Sequence, residues 1–251
     1  MPDFSPFSTI QRKSLYQSVK DEILLRIRTE QWTVGSVLPN EIELAKLFGV
    51  SQGTVRRALK ELVDDGLLVR RQGKGTYVND YGRNRDFTRR QFQRFRPDRE
   101  GAWQTTPKLV LFEEIPASMR VARALEITPT MPVIHLRREL VFVLARQQQP
   151  GTAFDEIWLP RDVFPRLTRE MIDVDIRSIY GFYQHECDVT VTQVEDTAKA
   201  VLLNPEQAAV ARVPLPCPAI RLERVSRNVS GRAVEYRIQT AVTEGFHLVF
   251  F

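Results

Sequence analysis

The sequence predicts an α+β protein in two parts: an N-terminal winged helix-turn-helix domain and a C-terminal domain built on an antiparallel sheet with helices. Three observations lead there. The stretch from Gly49 to Gly75 reads as a capped amphipathic helix followed by a short glycine-bearing hairpin. From Trp103 onward, β-rich runs alternate with short helical ones and are joined by tight turns. Charge divides along the same line: residues 12–99 carry 19 Lys+Arg against 11 Asp+Glu, a net of +8, and residues 101–251 carry 17 against 18, a net of −1. With 251 residues, each part is long enough to bury its own core.

Residues 1–13, rich in Pro, Ser and Thr at the start, read as a loose tail. A first helix follows over 14–32, with Tyr16, Val19, Ile23 and Ile27 on one face. Asn40 with Glu43 three residues later is a relative of the capping box and opens a second helix at 41–48, whose inward face is Leu44, Ala45 and Phe48. Gly49-Val50 makes the turn. Ser51 caps the third helix, Val55, Ala58, Leu59, Leu62 and Val63 form its apolar stripe, and Gly66 ends it.

The opposite face of the third helix carries Gln52, Gly53, Thr54, Arg56, Arg57 and Lys60. Short polar groups suit base edges, and arginines suit guanine or phosphate, so this face fits a DNA major groove. The runs 67–71 and 76–78, joined by Gln72-Gly73-Lys74-Gly75, form the wing, with Lys74 at a tip that can reach a neighbouring groove or phosphate. A basic surface that also carries helix-hairpin patterning points to double-stranded DNA rather than to a solvated face.

Residues 81–102 read as an arginine-rich linker, with seven arginines from Arg83 to Arg99 interleaved with Phe87, Phe92 and Phe95. Direct phosphate contact is a second reading of the same residues. Beyond it, strands are expected over 108–115, 132–144, 154–159, 220–228 and 233–242, and helices over 118–125 and 178–184. The run 190–200 reads as extended and then helical. The turn at Ser230-Gly231 joins the last two strands into a hairpin.

Other chemistry is thinly supported. There is no apolar run long enough to span a membrane and no secretory leader pattern, so a cytoplasmic protein is expected. Cys187 and Cys217 lack CxxC spacing and read as free thiols. His185-Glu186-Cys187 has donor atoms but no second cluster to complete a metal site. With three histidines and no catalytic constellation visible, no catalytic residue, metal or cofactor is expected.

The segment LPNEIELAKLFGVSQGTVRRALKELVDDGLLVRRQGKGTYV resembles the DNA-binding domain of the GntR family of bacterial transcriptional regulators, the similarity covering about residues 14–80. It implies operator binding as a homodimer, with Thr54 and Arg56 on DNA and the Gly73, Lys74, Gly75 wing tip in the minor groove. Two departures stand out: Ile42 replaces an arginine common in the family, and Gln52-Gly53 replaces Arg-Thr. Glutamine pairs naturally with adenine, and Gly53 permits close backbone approach.

Residues 103–251 resemble the UTRA effector-binding domain of the HutC subfamily, whose fold is related to chorismate lyase. The landmarks are Trp158-Leu159-Pro160, Ser178-Ile179-Tyr180 and the run from Gly231 to Tyr236. This resemblance implies dimerisation and a small-molecule effector site. Arg138 falls where the family binds an anion, Ser178 and Tyr180 where it offers hydroxyls, and Glu235 and Asp155 at acidic positions that accept from ligand hydroxyls or amines. Thr105 and Thr106 fall near the pocket. Leu140 replaces a second arginine, which favours a carboxylate over a doubly charged phosphate. Bland alternatives exist for three of these: a helix cap for Ser178, a surface strand position for Arg138, an ion pair with Arg224 for Glu235. The function expected is a ligand-responsive repressor. The alternatives are a lyase-like enzyme domain fused to a DNA-binding module, and a ligand-independent DNA binder.

Overall fold

The computed structural model describes residues 14–81, 94–98, 103–144, 147–173 and 178–250. The chain divides into two units, Met1–Asp80 and Tyr81–Phe251. The first unit contains α1 (Leu15–Arg28), α2 (Glu41–Phe48), α3 (Gln52–Asp64), β1 (Leu68–Arg71) and β2 (Gly75–Val78).

The caps form as the residue types require. The Asn40 side chain accepts from the backbone amides of Ile42 and Glu43, and the Glu43 carboxylate accepts from the Asn40 amide, completing a capping box. Gly49 ends α2 at φ 63°, a left-handed conformation in which a side chain would be strained. Ser51 Oγ then accepts from the Thr54 amide and starts α3 at once. Val55, Ala58, Leu59 and Leu62 of α3 are buried with Val19 and Ile23 of α1 and Leu44 of α2. The wing strands pair antiparallel from Leu68↔Val78 to Arg71↔Gly75, leaving Gln72, Gly73 and Lys74 at the tip.

In the second unit, β4 (Trp103–Pro116), β5 (Pro132–Leu144), β6 (Gln147–Pro160), β9 (Ala233–Val242), β8 (Pro218–Asn228) and β7 (Val191–Leu202) lie in that order in one antiparallel sheet. One face carries α4 (Met119–Leu125) and α7 (Pro205–Ala211). Val121 and Leu125 of α4 cluster with Val133, Trp158 and Tyr236, and Ala208 and Ala211 of α7 with Val242. On the other face lie the short α5 (Arg169–Ile172) and α6 (Ile179–Glu186), with Ile172, Tyr180 and Tyr183 packed on Leu136, Ile157 and Leu159. The same face is covered farther along by β3 (Phe95–Pro97) paired with β10 (Phe246–Leu248); Phe95 and Phe246 cluster with Leu140, Ala153, Leu222 and Ala241.

The structure departs from the sequence reading in several places. The run at 190–200 is strand from Val191 to Leu202, with no helix in it. Ala198, Lys199 and Ala200 favour a helix in isolation, yet their ladder with β8 overrides that preference, and the next helix waits for Asn204, whose side chain accepts from the Gln207 amide. β4 and β6 begin earlier than expected, at Trp103 and Gln147. Part of the arginine-rich segment belongs to the second unit: Tyr81 is fully buried in its core, its hydroxyl donating to the Val191 carbonyl, and Phe95 of β3 is buried against the sheet. Residues 82–93 and 99–102 lie outside the described residues, including Phe87 and Phe92.

Candidate nucleic-acid interface and effector site

The exposed face of α3 is held ready by one carboxylate. Glu41, in the first turn of α2, accepts from Arg56 Nε at 2.9 Å, from Gln52 Nε2 at 3.3 Å and from Arg70 Nη2 on β1 at 3.1 Å. Three groups with DNA-reading chemistry, two on α3 and one on the wing, are thus fixed by one side chain. Sequence reasoning missed Glu41 and Arg70. The available signal was an acidic residue directly after a helix cap, which reads equally well as a favourable dipole contact.

Arg57 lies over the Tyr16 ring at 3.8 Å from its centroid, an arrangement that orients its guanidinium. Gln52, Gly53, Arg56, Arg57, Gly73, Lys74 and Gly75 are exposed, and Thr54 is half-buried with its hydroxyl 2.9 Å from Ser51 Oγ. A Cβ added at Gly53 would meet only Ser51 Oγ, at 3.8 Å, so nothing within the fold demands glycine there. Ile42 is exposed, without charge, where a phosphate-holding arginine was the family expectation.

In the second unit a belt of charge crosses five strands between the apolar cluster under α6 and the cluster under β3 and β10. The register places Arg138 of β5 opposite Asp155 of β6, Asp155 opposite Gln239 of β9, Arg237 of β9 opposite Arg224 of β8, and Arg224 opposite Asp196 of β7. Asp155 accepts from Arg138 Nη2 at 2.6 Å and from Gln239 Nε2 at 2.7 Å, with Arg237 Nη1 at 3.7 Å. Asp196 takes Arg224 through both Nε and Nη2, and Arg94 through Nε.

Glu235 is fully buried and accepts four hydrogen bonds of 2.7–3.0 Å, from the hydroxyls of Tyr180, Tyr183 and Ser226 and from Arg237 Nη2. Burial pushes its carboxyl up, but Arg237 and the two tyrosine hydroxyls outweigh that and hold it below the ordinary carboxylate value. Tyr183 moves the other way, well above its ordinary value, because burial and the adjacent Glu235 charge both oppose ionisation. The cluster therefore holds neutral phenols donating to an ionised carboxylate.

Residues 15–78 match the family described as bacterial regulatory proteins, gntR family, and residues 103–247 match the UTRA domain. The chain belongs to the GntR family and carries a UTRA domain. This GntR-family chain is 34% identical over 227 residues to the mannosyl-D-glycerate transport/metabolism system repressor MngR of Escherichia coli K12, covering 89% of this chain and 90% of that one. It is 48% identical over 63 residues to the histidine utilization repressor of Klebsiella aerogenes, a match of 25% of this chain and 26% of the relative. Its fold is similar to the solved ligand-binding domain of a GntR-family transcriptional regulator from Bordetella bronchiseptica, with TM-score 0.58 and 26% identity over 64% of this chain and 97% of that one.

Within the UTRA domain, Arg138, Asp155, Tyr180 and Glu235 come together in the charged belt. Ser178 instead caps α6, its hydroxyl accepting from the Gly181 amide. Thr105 and Thr106 sit on the edge strand β4, half-buried and exposed respectively. Thr105 pairs with Phe142, four residues along β5 from Arg138, roughly 13 Å at the rise of a strand. Glu235 does not pair with Arg224, whose guanidinium is taken by Asp196; its cation is Arg237. Leu140 packs among apolar side chains, and a second guanidinium beside Asp155 comes instead from Arg237 of β9. Sequence reasoning passed over Arg237, the second residue after Glu235 and so on the same face of its strand.

Three residues singled out in the sequence have local roles or none in the belt. Asn228 Oδ1 accepts from the amides of Ser230 and Arg232 and shapes the β8–β9 turn. Cys187 and Cys217 are free, and burial pushes the Cys187 thiol up to about 11. No helix among the described residues is long and apolar enough to cross a membrane.

Proposed function

We propose that this chain is a cytoplasmic, one-component repressor that binds a two-fold symmetric operator as a homodimer and responds to a small organic anion. The α3 face with Gln52, Gly53, Thr54, Arg56 and Arg57 enters the major groove, and the wing tip Gly73–Gly75 lies against the neighbouring minor groove. Residues 103–251 bind the effector and hold the dimer, and residues 81–102 carry the response between the two.

The observation that carries the effector reading is Arg138: buried in the sheet, bound to Asp155, with its Nε unpaired. A guanidinium in that state is suited to a carboxylate. The name of the relative MngR refers to mannosyl-D-glycerate, a sugar joined to a carboxylic acid, and a ligand of that class would set its carboxylate on Arg138 and its hydroxyls among the polar side chains of the belt. By linkage, an effector that weakens operator binding is itself bound more weakly by the operator complex.

The test is a mobility shift on DNA from upstream of the chain's own gene, repeated with mannosyl-D-glycerate, D-glycerate and neutral mannose. The expected result is a shifted complex released by an acid and unaffected by mannose. Release by mannose alone, or by none of the three while other anions also fail, counts against an anionic effector.

A further inference from the structure

The geometry points to Arg237 as a second anion-holding residue of the effector site, acting with Arg138 on one oxyanion and oriented for that task by Glu235. This deepens the reading of an anionic effector and rests on it. Arg138 and Arg237 are 6% and 8% exposed, and both reach the same oxygen, Oδ2 of Asp155. Each spends part of its guanidinium on a carboxylate, yet the Nε of each is buried without a partner. An unpaired donor on a buried cation is costly, and the natural remedy is an acceptor supplied from outside the chain.

Charge points the same way. The belt gathers four guanidiniums, Arg94, Arg138, Arg224 and Arg237, against three carboxylates, Asp155, Asp196 and Glu235. The carboxylates are already occupied: Glu235 by four donors, Asp196 by two arginines, Asp155 by Arg138 and Gln239. What remains unmet is one positive charge and the Nε–H groups of two arginines whose other nitrogens both reach Asp155. A single oxyanion meets all three needs. Glu235 is then a positioning residue, locking Arg237 in place through its 2.7 Å bond and taking no direct part in holding the ligand. Two converging forks accept a phosphate as readily as a carboxylate, so the missing arginine at Leu140 does not limit the site to a carboxylate.

The test uses the full chain, with inorganic phosphate and D-glycerate as separate probes against chloride at matched ionic strength. Either probe raises the thermal midpoint of the wild type. Arg237→Gln weakens that probe's apparent affinity by about tenfold or more, the loss of one charge-assisted bond, as does Arg138→Gln. The double variant Glu235→Gln/Arg237→Gln removes both charges together and gives the same loss should the single variant fold poorly. A reading that needs no variant comes from wild-type crystals soaked in selenate, where the anomalous peak is expected in hydrogen-bond reach of both guanidiniums. A peak held by Arg138 alone, or unchanged affinity in folded Arg237→Gln, overturns the role of Arg237 and leaves the anionic effector standing. No peak at either arginine, with no stabilisation by either probe, overturns both.

Discussion

Arg56 Nε lies 2.9 Å from Glu41 Oε2, so the arginine proposed to read DNA is held by a carboxylate on the preceding helix. Arg56 is still 61% exposed in its side chain, which makes this a surface pair of small worth to the fold. Its effect is on orientation. Arg56→Ala and Thr54→Ala are expected to abolish specific operator binding while thermal midpoints stay close to the wild type. Wild-type affinity of Arg56→Ala in a mobility shift contradicts the assignment of α3.

Glu41→Ala separates affinity from specificity. It frees Arg56, Gln52 and Arg70 together and removes the negative charge between them. Non-specific binding should therefore rise while specific binding falls, lowering their ratio by about tenfold, the scale of one oriented base contact. Titration of operator and scrambled DNA at one salt concentration measures both. An unchanged ratio shows that Glu41 positions nothing.

Gly53→Ala should act in opposite directions on stability and function. The added Cβ meets no close atom and the helix gains a better former, a gain of about 0.5–1 kcal/mol. Operator affinity should drop because the methyl group stands between the helix and the groove. Denaturant titration and a mobility shift on the same sample check both; a stabilised variant with undiminished binding removes the reason offered for this glycine.

The charged belt makes stability depend on acid. Burial opposes it, but arginine partners hold Glu235 below 4.5 and Asp196 below 3.8. A carboxylate depressed in the folded state stabilises above its unfolded pKa, and that stability is lost as pH falls through the folded value. Denaturant stability should thus be insensitive to these groups near neutrality and decline below 4.5, where Glu235 begins to protonate in the unfolded chain. Glu235→Gln leaves Arg237 buried without its carboxylate, a cost of about 3–5 kcal/mol at neutral pH, and shallows the acid decline. Equal slopes for wild type and variant between about pH 3 and 5 contradict this ionisation scheme.

Phe95→Ala tests where the arginine-rich segment belongs. Phe95 is 2% exposed among Leu140, Ala153, Leu222 and Ala241, so its truncation should cost about 3–5 kcal/mol. Calorimetry of the full chain measures it. A loss under about 1 kcal/mol means that the segment is only loosely attached to the sheet.

The first unit was almost fully legible because its signals are local. Asn40, Ser51, Gly49 and the apolar stripe of α3 each act within a few residues of themselves, and each formed as read. The second unit was legible in its hairpin strands but not in its partnerships. Arg138 meets Asp155 across 17 residues and Arg224 meets Asp196 across 28, distances over which spacing carries no information. Arg237 was hidden only in part: its pairing with Glu235 two residues back is local, but its approach to Asp155 of β6 is not. The helix expected in 190–200 failed because pairing with β8 outweighs the preferences of Ala198 and Ala200. The linker reading of 81–102 ignored Phe95 and Tyr81 as core side chains, since aromatics among arginines also suit phosphate contact.

The most direct measurement of the central claim is selection from fragmented genomic DNA by the purified full chain, compared with Arg56→Ala. Wild type should enrich a small set of fragments sharing a two-fold symmetric sequence, and Arg56→Ala should enrich none of them. Identical enrichment by the two proteins, or none by the wild type, contradicts the account.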